Sequence, residues 1–315
     1  MTSSAVEVAG DWTHRYVAAN GARFHVALST PSTAEIGGAT GAGGSAATPL
    51  VVLLHGFPEF WWAWRHQLPA LARAGFAAAA VDLRGYGGSD KTPRGYDPLT
   101  LAADVAGVIR ALGARDAVVV GQGWGGYVGW SLAGGHPEQV RALCAVAAPH
   151  PLAVLRAPYR HVSRATLAHV AAMQVPWLPE RRIMRGRYVD QHLSRWSGSG
   201  SAFPSAAESA RYRSALALWP SPHCALEYHR WVFRSRLRAD GRAFARVMRT
   251  PVYRPVLHMG GAEDPAVGAV AVAESGRHVR AAFATETLPG VGHFPQEEDP
   301  QRFTSLLLAW LAALP

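Results

Sequence analysis

The sequence predicts an α/β fold: an eight-stranded, mostly parallel sheet with helices on both faces and an inserted helical lid. Three observations carry that expectation. Apolar strand-like runs alternate with stretches of helical period, the pattern of parallel strands joined by crossover helices. The alternation stops after Pro149 and returns at Pro255. Between them the chain is rich in Arg, Trp and Tyr with patches of helical spacing, so it reads as a segment inserted between two strands of one sheet. The expected organisation is a core of residues 1–149 and 251–315 with a helical cap at 150–250.

His14–Asn20 and Ala22–Thr30 alternate enough to be two strands joined at the Asn20-Gly21 turn. Pro31–Pro49 is rich in Gly, Ala, Ser and Thr and reads as a flexible surface insertion. Leu50–Leu54 is continuously apolar, as a strand buried on both faces should be. A helix is expected over Phe60–Ala74 and a strand over Phe76–Val81. Asp97-Pro98 starts a helix, with Asp as cap and Pro in the first turn. Leu101, Val105, Val108, Ile109 and Leu112 continue it at helical spacing. A strand from Ala117, a helix from Trp124 to about Gly135 and a strand over Val140–Ala148 complete the first half. Within the cap, Ala225–Leu237 has helical spacing and Ser197–Ser205 reads as a loop. Beyond it come strands at Pro255–Met259 and Ala281–Leu288, with a helix near Val267–Gly276 between them. The last helix places Phe303, Leu306, Leu307, Trp310 and Leu311 on one face.

A chain of 315 residues that is 49% hydrophobic can bury one large core. No apolar run is long enough to span a bilayer, and the first residues lack the basic flank and apolar stretch of a secretory signal. Cys144 and Cys224 have no motif spacing, so a reducing cytoplasm is the expected setting. The net charge is +9, and residues 151–254 alone hold 18 Arg against 5 acids. No aromatic-basic nucleic-acid motif accompanies that excess, which is read as a solvated helical surface.

The chemistry centres on Gly121-Gln122-Gly123-Trp124-Gly125-Gly126, between a strand and a helix. This is the form of a nucleophile elbow, in which the middle residue of G-x-Nuc-x-G is held at positive φ facing a pocket. Here that residue is Gly123, which suits the backbone and has no side chain to attack anything. Three more signatures flank it in order: His55-Gly56-Phe57-Pro58-Glu59, Asp82-Leu83-Arg84-Gly85-Tyr86-Gly87-Gly88-Ser89-Asp90, and Gly292-His293-Phe294. With Trp61-Trp62-Ala63-Trp64-Arg65-His66-Gln67 they give a sequence that resembles the epoxide-hydrolase branch of the α/β-hydrolase fold over nearly its whole length. The departure is at the elbow, where that branch has aspartate.

The resemblance implies roles residue by residue. Backbone N–H groups of Phe57 and Trp124 form an oxyanion hole, which needs no side chain and survives the loss of the nucleophile. His293 is the general base, oriented by Asp264, with Glu263 the nearby alternative. In the resembled enzymes two lid tyrosines bond the epoxide oxygen. Here the matching positions hold His229, with Tyr228 one place earlier, and His169 ahead of Gln174-Val175-Pro176-Trp177. His169 and His229 are expected to donate protons as imidazolium, with Tyr188 and Tyr212 as substitutes that cannot be placed. Trp61, Trp62, Trp124 and Trp177 supply aromatic surface for an apolar, even polycyclic, substrate.

Gly121-x-Gly123-x-x-Gly126 is formally a dinucleotide fingerprint, but Ala147-Ala148-Pro149 stands where the ribose-binding acid should be. No His or Cys spacing suits a metal. The expectation is therefore an enzyme without cofactor or metal, acting on a small-molecule substrate, with neither nucleic acid nor membrane as partner. It would use His293–Asp264 acid/base chemistry with water as nucleophile and form no ester at Gly123. Elimination or cyclisation would also fit that pair. Two alternatives stand beside it: a non-catalytic binder of a small apolar ligand, and an ordinary hydrolase whose nucleophile has been replaced by engineering.

Overall fold

In the computed structural model, residues 5–31, 48–156, 164–185 and 187–315 are described. Most of the expected insertion, at 32–47, lies outside them, as do four residues at the N-terminus and two short stretches of the cap. Among the described residues the strands are β1 (Thr13–Ala19), β2 (Ala22–Ser29), β3 (Leu50–Leu54), β4 (Ala77–Val81), β5 (Ala117–Gln122), β6 (Val140–Val146), β7 (Val256–Gly261) and β8 (Phe283–Leu288). They form one sheet in the order β1-β2-β4-β3-β5-β6-β7-β8. The β1–β2 and β2–β4 pairs are antiparallel and all others parallel.

Burial follows composition. Every residue of β3, β4 and β5 is buried, in keeping with runs of Leu, Val and Ala that only the elbow residues Gly121-Gln122 at the end of β5 interrupt. Edge strand β8 instead exposes Ala284, Thr285, Glu286 and Thr287, polar cover that discourages pairing with another chain. Helices α1 (Gln67–Arg73), α2 (Pro98–Ala111) and α3 (Trp124–Gly135) follow β3, β4 and β5. Asp97 caps α2 by accepting from the Thr100 N–H at 2.9 Å.

The single helix expected over Phe60–Ala74 is divided into a 3₁₀ turn, Trp61–Trp64, and α1. Pro69 explains the break: a helix continuous through it would need a Pro69 N–H for the Arg65 carbonyl. Starting at Gln67 instead leaves Pro69 in the first turn, where no donor is needed. Strand β6 stops two residues earlier than expected because Ala147 turns to φ +49°.

Between β6 and β7 the cap consists of α4 (Pro151–Arg156), α5 (Arg164–Ala172), α6 (Leu178–Met184), α7 (Arg187–Trp196), α8 (Ala206–Leu216), α9 (Ser221–Arg234) and α10 (Ala239–Met248), among the described residues. A capping box between Ser205 and Glu208 opens α8. Phe244 and Met248 of α10 pack with Leu152 and Trp231 in a small apolar cluster of their own. After β7 come α11 (Ala269–Ser275), α12 (Pro295–Glu298) and α13 (Pro300–Ala312). No helix among the described residues is long and apolar enough to cross a membrane.

Two buried carboxylates brace the loops around β4. Asp82 accepts from the Trp61 N–H, the Gly88 N–H and the His25 ring, each at 2.8 Å. Asp104 on α2 holds the Arg84 guanidinium through bonds of 2.7 and 2.5 Å, with both side chains at or below 5% exposure. Removing one partner strands the other's charge in the interior. Asp104→Ala should therefore lower unfolding free energy in urea by about 3–5 kcal/mol, more than loss of an exposed ion pair would.

Candidate active site

The strand order reverses beside β3: the chain leaves it for β4 on one side and returns to β5 on the other. Loops leaving the carboxyl ends of β3 and β5 must then diverge, and the crevice between them is where ligands enter open α/β sheets. Leu54 of β3 is paired with Gly121 of β5, so Phe57 and Trp124 emerge side by side. Asp264 and His293 follow β7 and β8, at the same end of the sheet.

At the elbow Gly123 has φ +51° and ψ −114°, and α3 begins at the next residue. The flanking glycines are required by close approach. A Cβ at Gly121 would lie 2.4 Å from the Gly125 carbonyl oxygen, and one at Gly125 would lie 2.3 Å from that of Leu54. Gly123 differs, since a Cβ there would meet only His293 Nε2 at 3.4 Å and Gly56 Cα at 3.8 Å. The space in front of His293 is therefore open.

His293 Nδ1 lies 2.9 Å from Asp264 Oδ2, and the two side chains are 9% and 1% exposed. Asp264 Oδ1 accepts from the Ala266 N–H at 2.7 Å. A carboxylate at Nδ1 selects the tautomer that carries its hydrogen there, leaving Nε2 as an acceptor toward Gly123. Glu263, the alternative acid, turns away and accepts from the Ser199 N–H. The His293 backbone is tied on both sides: its N–H donates to Trp196 O at 2.7 Å, and its carbonyl accepts from Gln122 Nε2 at 2.9 Å. Gln122 thus gains an account that the sequence did not offer, linking the elbow to the histidine loop.

A cavity of about 420 Å³ opens over this point. Phe57, Gly123, Trp124 and His293 form its floor, and the cap supplies its roof through α5, α7 and α9. The walls are largely apolar, with Val170, Val232, Phe233 and Val267 among them, and among the described residues Arg236 is the one Arg, Lys, Asp or Glu lining it. Neither the Phe57 nor the Trp124 amide donates to an acceptor among the described residues. Among those residues no three His, Cys, Asp or Glu side chains gather in a way that could hold a metal ion.

Of the expected pocket residues, Phe57, Trp124, His169 and His229 line the cavity, and four others do not. Trp61 is fully buried with its indole N–H on Val6 O. Trp62 stacks under the Arg65 guanidinium at 3.8 Å. Trp177 is 81% exposed on the outside of the cap. Tyr228 faces the core and donates to Arg84 O at 2.7 Å. A helix turns about 100° per residue, so only one of the neighbours Tyr228 and His229 can face the cavity. Tyr212 donates to Glu297 within the interior, while Tyr188 lies behind His169, its hydroxyl 2.8 Å from Nδ1.

The imidazolium expectation is also corrected. Burial, then the neighbouring His229 and His293, pushes His169 down to about 3; burial pushes His229 down to about 4. Both rings are neutral near pH 7. His229 is further committed, with Nδ1 3.2 Å from Ala225 O and Nε2 accepting from the Trp124 indole at 3.1 Å. Among the cavity residues that the sequence did not single out are His192 and Trp196 of α7. Their i, i+4 spacing on one helix face was the available signal. Trp196 packs edge-on to His293 with ring centroids 4.9 Å apart. The His192 ring, which burial holds well below the usual histidine range, makes no hydrogen bond to a described residue.

The chain matches the alpha/beta hydrolase fold family over residues 49–300. It is 32% identical to epoxide hydrolase 3 of Xenopus tropicalis over 280 residues, covering 86% of this chain and 73% of that protein. It belongs to the α/β-hydrolase family, in its epoxide-hydrolase branch. It is accordingly a hydrolase. The AB hydrolase superfamily protein YfhM of Bacillus subtilis is 31% identical over 304 residues, 94% of this chain and 97% of that one. The crystal structure of epoxide hydrolase A from Mycobacterium thermoresistibile superposes with a TM-score of 0.80 at 23% identity, covering 96% and 99% of the two chains.

The neutral histidines set a pH dependence for this hydrolase. In the unfolded chain they titrate near 6.5, whereas His169 and His229 in the native state wait until about 3 and about 4. The unfolded state therefore binds protons first, and stability is full above pH 6.5 and lost as pH falls toward 4. Each unit of separation corresponds to about 1.4 kcal/mol. Urea unfolding followed between pH 7 and 4 should show this loss, and His192→Phe should remove roughly one proton from its slope.

Proposed function

We propose that this hydrolase opens a small apolar epoxide by direct addition of water, without a covalent intermediate at Gly123. The observation that carries the reading is the open space between Gly123 and His293 Nε2, bounded by an atom separation of 3.4 Å from the missing Cβ position. A water there would be within reach of a base whose other nitrogen is held by Asp264 at 2.9 Å. The names of the relatives, epoxide hydrolase 3 among them, support the substrate class. So does the lining, which offers an apolar body little but van der Waals contact.

In this reading His293 takes a proton from the water as its oxygen attacks a ring carbon, and Asp264 steadies the imidazolium that forms. Breaking the carbon–oxygen bond leaves an alkoxide, which takes a proton from a second water; the hydroxide so formed takes back the proton held by His293, so the net change is epoxide plus water to diol. The neutral rings of His169 and His192 stand at the cavity wall to donate a hydrogen bond to the alkoxide, with the Tyr188 hydroxyl behind His169. The Phe57 and Trp124 amides and the positive end of α3 favour negative charge on this floor.

His293→Ala should reduce turnover of an epoxide such as styrene oxide by about 10²–10⁴-fold, the usual worth of positioned acid–base catalysis, with ligand affinity little changed. Asp264→Asn should also slow turnover. Turnover untouched by His293→Ala removes the proposed base, and failure to turn over any epoxide leaves only binding.

Single turnover in ¹⁸O-water should label the diol at once, and intact mass should show no adduct. Gly123→Asp should reverse that signature by giving an ester adduct. It should also cost about 1–2 kcal/mol of stability, since the site has positive φ.

A further inference from the structure

We propose that the space left at Gly123 is a binding site for one small carboxylate, formate or acetate, and that the bound carboxylate acts as a diffusible nucleophile for ring opening. The inference rests on the preceding reading only in taking an epoxide as substrate; it does not need water as the first attacker.

Four features converge on that space. The missing Cβ would touch only His293 Nε2 and Gly56 Cα, at 3.4 and 3.8 Å, so a methyl group fits where a side chain would begin. His293 is nine-tenths buried and its Nε2, without a partner among the described residues, faces the gap. The Phe57 and Trp124 amides on the same floor also donate to no described acceptor. Helix α3, 12 residues long, starts at Trp124 and presents its positive end. The two amides and the helix end together suit an anion of two oxygens on one carbon, with His293 Nε2 beside it to take a proton from water in the later step. The cavity's largely apolar walls give such an anion few competing partners.

In the first step a carboxylate oxygen bonds to an epoxide carbon and that carbon's bond to the ring oxygen breaks. The alkoxide takes a proton from water, leaving hydroxide and a glycol monoester. In the second step a water gives its proton to His293 and adds to the ester carbonyl, whose oxyanion meets the Phe57 and Trp124 amides. Collapse breaks the acyl–oxygen bond, the departing glycol oxygen takes the proton from His293, and the acid released neutralises the hydroxide. The net reaction is epoxide plus water to diol, with the carboxylate regenerated.

The test uses the full chain and styrene oxide in a carboxylate-free buffer, with sodium acetate, formate or pivalate replacing chloride at constant ionic strength. The rate should rise saturably with formate and acetate, by about tenfold or more at saturation, because binding makes the attack unimolecular. Pivalate, whose extra methyl groups would press on Gly56 and His293, should give no rise. With acetate labelled by ¹⁸O in both oxygens, the diol should carry the label, since acyl–oxygen cleavage leaves the attacking oxygen on the glycol. Gly123→Ala, which puts a methyl group in the space, should abolish the acetate rise; the pivalate comparison stands on the unmodified chain if that variant fails to fold.

A flat or falling rate with acetate, or a diol free of label, overturns the carboxylate site. The intercept at zero carboxylate reads water attack separately. An intercept without a rise sinks only this inference, and a labelled rise without an intercept upholds it while sinking direct hydration. No turnover at any carboxylate concentration overturns both.

Discussion

Leu54 pairs with Gly121 across β3 and β5, and that parallel contact, at the point where strand order reverses, is what makes a site possible here. It sets the loop after β3 beside the elbow after β5, so that Phe57, Gly123 and Trp124 share one floor. The approach is tight enough to exclude a side chain at Gly121 or Gly125. Asp82 and the Arg84–Asp104 pair then fix the β4 loops at the same end, using buried charge satisfied at every turn by backbone or side-chain partners.

The histidine is held more firmly by backbone than by its acid alone. Its N–H is given to Trp196 in the cap and its carbonyl is taken by Gln122 in the sheet. Cap and core are thus joined through the residue whose Nε2 faces the open elbow. Trp196 packs on the imidazole edge from the same helix that brings His192 to the cavity. A shift of α7 would therefore move the roof and the histidine together.

The vacancy at Gly123 is a statement about chemistry and not about the fold. Positive φ is open to glycine without strain, so the elbow keeps its shape while losing its side chain. The rest of the floor is kept: the Phe57 and Trp124 rings still pack against His229, and His293 lies across the gap. The Phe57 and Trp124 amides do not depend on a side chain at the elbow, and the His293–Asp264 pair is assembled after two other strands.

The sequence alone determined the eight strands, the interruption after Pro149 and the four loop motifs, because hydrophobic period and turn-forming residues are local properties. It also picked out His293 and Asp264 as residues that meet, through the order of motifs that the family shares. It did not determine which aromatics face the cavity. Trp61 and Trp62 follow a motif loop yet point into the interior or along the surface, and Trp177 stands in solvent. In the cap, where no sheet fixes direction, one step along α9 separates Tyr228 in the core from His229 at the cavity. The protonation of the cap histidines was decided by tertiary structure for the same reason. Burial is a property of what packs around a ring, and it turns His169 and His229 from expected proton donors into neutral groups.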